Sequence, residues 1–165
     1  MRKRPHGCYR LVSAALLTAP LLFPQQETPC PTLVGLLVTQ FAFNTPVSDL
    51  PRVEIRQCGS FEALQIVAWE ARSKVPALIV DTTDFTVVQS IARRNFYLIE
   101  TTGGPRDRIY IIVFEKGKPR LALNRVTKGS AAVTINETYC EVVISGIYAG
   151  DAELRSETHK FELSN

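Results

Sequence analysis

From residue 52 onward the chain is dominated by short apolar runs with the period of a β-strand. Residues 108–115 (RIYIIVFE) are β-branched and aromatic at odd and even positions alike, which predicts a central strand covered on both faces. A turn at Lys116-Gly117-Lys118 leads into 119–126 (PRLALNRV), where Leu121 and Leu123 face one way and Arg120 and Asn124 the other. That alternation predicts a half-buried hairpin partner. Lys128-Gly129-Ser130 makes the next turn, and 131–136 (AAVTIN) and 139–145 (YCEVVIS) form a further alternating pair. The turn Ala149-Gly150-Asp151 then precedes a polar last strand ending at Phe161 and Leu163, whose character suits a sheet edge.

Upstream, 52–57 (RVEIRQ) places Val53 and Ile55 on one face and charges on the other. Residues 61–71 (FEALQIVAWEA) leave no polar face when wound as a helix, so the segment is read as a strand, followed by another at 76–82 (PALIVDT). One stretch has the opposite period. Thr83 or Asp84 can N-cap a helix, and Phe85, Val88, Ile91 and Ala92 then follow as a single apolar stripe, closed by Arg93 and Arg94 at the negative pole of the dipole. The sequence thus predicts one inserted α-helix at 84–94 before a strand at 95–101 (NFYLIET). The fold class expected is mainly β: an antiparallel β-sandwich or flattened barrel of hairpin-connected strands carrying that helix.

The first 26 residues follow a different rule. Residues 1–10 (MRKRPHGCYR) are basic, and 11–23 (LVSAALLTAPLLF) are uncharged and almost wholly apolar. A run of thirteen residues matches a signal-peptide core and falls short of the roughly 20 that span a bilayer. The expectation is a signal peptide at 1–26, or an uncleaved signal anchor, then a segment at 27–51 with a first strand at 33–43, then a single β-rich domain at 52–165. The protein is therefore read as secreted or periplasmic, touching a membrane only through an uncleaved leader.

That division changes the meaning of the charge. The whole chain is formally +3, but Arg2, Lys3, Arg4 and Arg10 stand in a leader without acids. Beyond residue 26 there are 15 basic (19 − 4) and 16 acidic residues, a net charge of −1. A nucleic-acid binder carries its basic surplus on the folded domain, so nucleic acid is not an expected partner. Of four cysteines, Cys8 belongs to the leader and Cys30, Cys58 and Cys140 remain. An oxidising compartment permits one disulfide among them, and proximity to strands favours Cys58–Cys140.

Candidate chemistry is sparse. No G-x-S-x-G elbow, phosphate loop or dinucleotide fingerprint is present, and no cofactor is expected. Asp81 and Asp84, in DTTD between a strand and the expected helix start, are the most suggestive acids for cation binding or acid–base work. Gly103-Gly104-Pro105-Arg106-Asp107-Arg108 has the composition of an anion-binding nest flanked by Arg106 and Arg108. Asn136-Glu137-Thr138 fits a glycosylation triplet but already serves as a turn. Gln65-Ile66-Val67-Ala68-Trp69 resembles the Q-x-V-x-G loop of cystatin-type protease inhibitors, with Trp69 where that pattern has glycine and the expected helix on the wrong side. The leading expectation is an exported noncatalytic module binding a protein, glycan or envelope component. The alternatives are a small hydrolase or metal-dependent enzyme using Asp81 and Asp84, and a protease inhibitor.

Overall fold

The computed structural model describes residues 30–37, 46–58, 62–148 and 154–164. The leader, the distal part of the apolar stretch at 33–43, Ser60 and the turn at 149–151 lie outside the described residues. Eleven strands are described: β1 (Thr32–Leu37), β2 (Arg52–Cys58), β3 (Ala63–Trp69), β4 (Leu78–Asp81), β5 (Thr86–Arg93), β6 (Phe96–Thr102), β7 (Asp107–Glu115), β8 (Lys118–Thr127), β9 (Ala131–Ile135), β10 (Tyr139–Tyr148) and β11 (Leu154–Glu162). A single 3-10 turn at Val47–Asp49 precedes β2. Among these residues no helix is long and apolar enough to cross a membrane.

Every pairing is antiparallel. Strands β1-β2-β3-β4 form one sheet, and β11-β10-β8-β7-β6-β5 form a second, with β9 also paired to β10. The second sheet curls. Thr127 at the end of β8 pairs with Ile147 of β10, and after a bend β9 takes over the same edge of β10 from Ile144 to Cys140. Gly129 and Gly146 permit that corner, since a Cβ on Gly146 would stand 2.6 Å from the Gly129 nitrogen. The curl is fastened at its far end by Asn95, in the β5–β6 turn. Its amide nitrogen donates to Glu162 O and Phe114 O (both 3.4 Å), and its Oδ1 accepts from Ser164 N at 3.0 Å.

The result is a β-sandwich whose larger sheet closes into a half-barrel, and β6 and β7 form the wall between two cores. On one face Phe96, Leu98, Ile109, Ile111 and Val113 meet Val142, Ile144 and Leu163 inside the curl. On the other, Tyr97, Ile99, Tyr110, Ile112 and Phe114 meet Val53, Ile55, Leu64 and Ile66 of the four-stranded sheet. The double cover expected for 108–115 is thus present. Each large apolar side chain in these layers contributes roughly 1.5–3 kcal/mol through loss of water contact.

Two sequence expectations are corrected. Residues 84–94 are not a helix, because Thr86–Arg93 form strand β5 along β6. The apparent stripe is divided by a register shift between Val87 and Gln89: Ile91 packs into the curl, Ala92 toward the other core, and Phe85 and Val88 stay exposed. Three β-branched residues in a row, Thr86-Val87-Val88, also favour the extended chain. In β8, a shift between Ile111 and Ile112 gives Ala122 no opposite partner, so Leu123 enters one core and Leu121 the other. The strict alternation read from the sequence breaks there.

One polar side chain in the inner wall is costly. Glu100 is 1% exposed, and its Oε1 has no hydrogen-bond partner. Burial, helped by the Asp107 charge, pushes its carboxyl above the ordinary range, against a hydrogen bond from the Ala131 backbone. A raised folded pKa means the penalty is absent below the unfolded value and complete once pH passes the folded one. Glu100→Gln is therefore expected to raise stability at pH 8 by about 1–2 kcal/mol and to leave it unchanged below about pH 4. Urea unfolding across pH measures this, and an offset independent of pH would contradict it.

Candidate functional site

The candidate acids fall into separate surroundings. Asp81 ends β4 on the outward face of the four-stranded sheet, where its carboxylate accepts from Gln65 Nε2 at 2.8 Å. Asp84 lies in the link from β4 to β5 and is 3% exposed. Its Oδ2 accepts from Thr101 Oγ1 at 2.5 Å, and its Oδ1 stands 3.5 Å from Arg108 Nε. The Tyr110 hydroxyl joins the same group: burial and the Asp84 charge push it up, against Arg108 and a hydrogen bond with Thr101. Asp84 therefore caps no helix. It ties the β4–β5 link to the edge of the β6–β7 wall, and Asp81 serves the opposite side of its own sheet.

Arg106 belongs to the Gly103–Arg106 loop and is engaged by other groups of the protein, while Arg108 is half-exposed beside Asp84. Gly103 has a steric reason of its own. A Cβ there would stand 2.7 Å from Asp84 Cα and 2.9 Å from Thr83 O, both backbone atoms that cannot rotate away, whereas Gly104 faces open space. Gly103→Ala is expected to cost about 1–3 kcal/mol and Gly104→Ala no more than about 0.5 kcal/mol. Paired urea titrations decide it, and equal losses would remove the close approach as the cause.

The cysteine expectation is also corrected. The disulfide joins Cys30 to Cys58, with Cα atoms 4.9 Å apart, and Cys140 is a buried free thiol. Cys140 points into the curl with Val142 and Ile144, while Cys58 ends a strand of the other sheet, next to the chain entering β1. Burial pushes the Cys140 thiol up, against the Arg93 charge, so it stays protonated and behaves as a small apolar side chain. Gln65–Trp69 lie inside β3 and form no loop. Asn136 does make its turn: its Oδ1 accepts from Thr138 N and Tyr139 N.

A further constellation stands on the outward face of β2 and β3. Arg52, Glu54 and Arg56 alternate outward while Val53 and Ile55 enter the core. Glu54 Oε1 accepts from Arg52 Nε at 2.6 Å, and Oε2 from Arg56 Nη2 at 2.5 Å. Burial raises the Glu54 carboxyl, but the hydrogen bonds and charges of the two arginines outweigh it and hold the group below the ordinary carboxylate range. Both guanidinium groups sit over Trp69, the only tryptophan of the chain, at 4.5 Å and 5.3 Å from the ring centroid. Trp69 is 9% exposed and Val67 beside it fully buried, although both point away from the core. Leu37 and Ile79 flank this belt on β1 and β4, Ile79 at 52% exposure.

Sequence reasoning assigned Glu54 to a plain solvent face. The overlooked signal was the R-x-E-x-R alternation on one strand face, opposite a lone tryptophan on the next strand. No family model, no curated protein and no solved structure matches the chain.

Proposed function

We propose that the protein is an exported, noncatalytic binding module that presents the outward face of β1–β4 to a partner outside the cytoplasm. The observation that carries this reading is that face itself. It holds an aromatic and a doubly cationic belt, itself largely covered, fringed by the exposed Leu37 and Ile79, on a sheet whose other side is core. Tryptophan and arginine are the residues most enriched at the centres of interfaces. Export is supported by the basic and apolar leader and by the Cys30–Cys58 bridge, since structural disulfides persist in oxidising compartments. The net charge of −1 beyond the leader speaks for a protein, glycan or envelope partner over nucleic acid.

Three measurements test this reading. Expressed from the full chain, the protein is expected outside the cytoplasm, with Cys30 and Cys58 joined and Cys140 resisting alkylation until unfolded. A cytosolic product with an intact start and all four cysteines as free thiols would end the export argument. Closing a loop of 28 residues stabilises by about 3–4 kcal/mol, so a reductant should lower the unfolding midpoint. Binding to the cell envelope fraction of the source organism is expected to fall at least about tenfold with Ile79→Asp, a change of roughly 1.4 kcal/mol, and to persist with Thr134→Asp on exposed β9. Equal binding by both variants would place the interface elsewhere.

A further inference from the structure

The Arg52–Glu54–Arg56 belt leaves two strong donors without an acceptor. Trp69 Nε1 is sealed from solvent and unpartnered, and Trp69 is nine-tenths buried. Arg52 spends its Nε on Glu54, and its Nη1 is equally sealed and unpartnered. These donors share one corner. Arg52 and Trp69 are cross-strand partners, and the guanidinium lies 4.5 Å from the ring centroid. A buried N–H without an acceptor costs about 1–3 kcal/mol, more when charged, so the corner gains from an acceptor that reaches both donors.

The charges nearby select the acceptor. Two guanidinium groups share the single carboxylate of Glu54, so the belt retains one positive charge. Asp81, which also lies on this face, sits at the Arg56–Gln65 end and is held by Gln65. Arg52 is four residues away along the strand. A planar anion with two acceptor oxygens suits one guanidinium and one indole N–H together, and that is a carboxylate. A neutral carbonyl would leave the excess charge unanswered.

The surroundings select what carries it. Leu37 adjoins Arg52 on β1, and Val75 projects from the loop after Trp69, both exposed. An apolar side chain next to a carboxylate fits that fringe.

We infer that the Arg52–Trp69 corner receives the C-terminal carboxylate of an apolar peptide segment of the partner. This rests on the proposed use of the outward face. Access requires the Arg52 side chain to swing off the indole, because both nitrogens are closed to solvent. The incoming carboxylate then accepts from Nη1 and Nε1 while Glu54 keeps Arg56.

The lone tryptophan provides the readout. The folded, disulfide-bonded protein is titrated with an acetylated hexapeptide ending in Leu-Leu with a free C-terminus, and with the same peptide amidated, exciting tryptophan selectively. The free acid is expected to shift the emission to saturation and the amide to bind at least about tenfold more weakly. Arg52→Gln should abolish that preference in protein that still unfolds cooperatively. Trp69→Phe, followed by calorimetry, should weaken the free acid several-fold. Equal binding of acid and amide overturns the carboxylate assignment but leaves the face as an interface. A response to oligogalacturonate and none to peptide overturns the peptide. Silence toward every probe, with a crystal structure of the protein soaked in peptide showing one water bridging Nη1 and Nε1, overturns the site and assigns those donors to internal solvent.

Discussion

Burial of both faces of the β6–β7 hairpin is the constraint from which the rest of the architecture follows. A strand pair sealed above and below has no water to satisfy its backbone, so each of its edges must pair with another strand along its length. β8 supplies one edge and β5 the other. Here lies the physical reason that 86–93 is extended. A helix there would leave the N–H and C=O groups of β6 facing no partner, at a cost of about 1–3 kcal/mol for each one buried. Local propensity yields to that sum.

The sequence made the hairpins legible wherever a polar turn separates two runs of alternating or doubly apolar character. The pairs β7–β8 and β9–β10 are of this kind, and the expected double cover of β7 came from the unbroken run Ile109–Phe114. What stayed hidden depends on distant parts of the chain. The helix at 84–94 was read from a three-residue spacing that a single register shift in a strand also produces. The pairing of Cys58 turned on which sheet it joined, a property of topology that proximity to a strand does not reveal. For the candidate site, the two acids and the glycine-rich loop were visible as residue types. Their roles were not, because Asp84 acts through Thr101 and Arg108, 17 and 24 positions further along.

Polar groups in this molecule divide by the work they do. Asp84, Thr101, Arg108 and Tyr110 fasten a loop to the wall, and their hydrogen bonds are spent on one another. The Arg52–Glu54–Arg56 belt is different, since it encloses Trp69 and still holds donors in reserve. A network that satisfies itself rigidifies a fold, and one left incomplete is poised for something from outside.

Asn95 joins segments that are made at very different times. Its side chain binds the end of β7 and also Glu162 and Ser164, nearly 70 positions downstream. During synthesis the inner surface of β6 and β7 emerges first and has nothing to rest on until β10 and the final strand have left the ribosome. The half-barrel thus closes late, and until β10 and β11 are made Phe96, Leu98 and Ile111 lack the side chains that cover them in the folded protein.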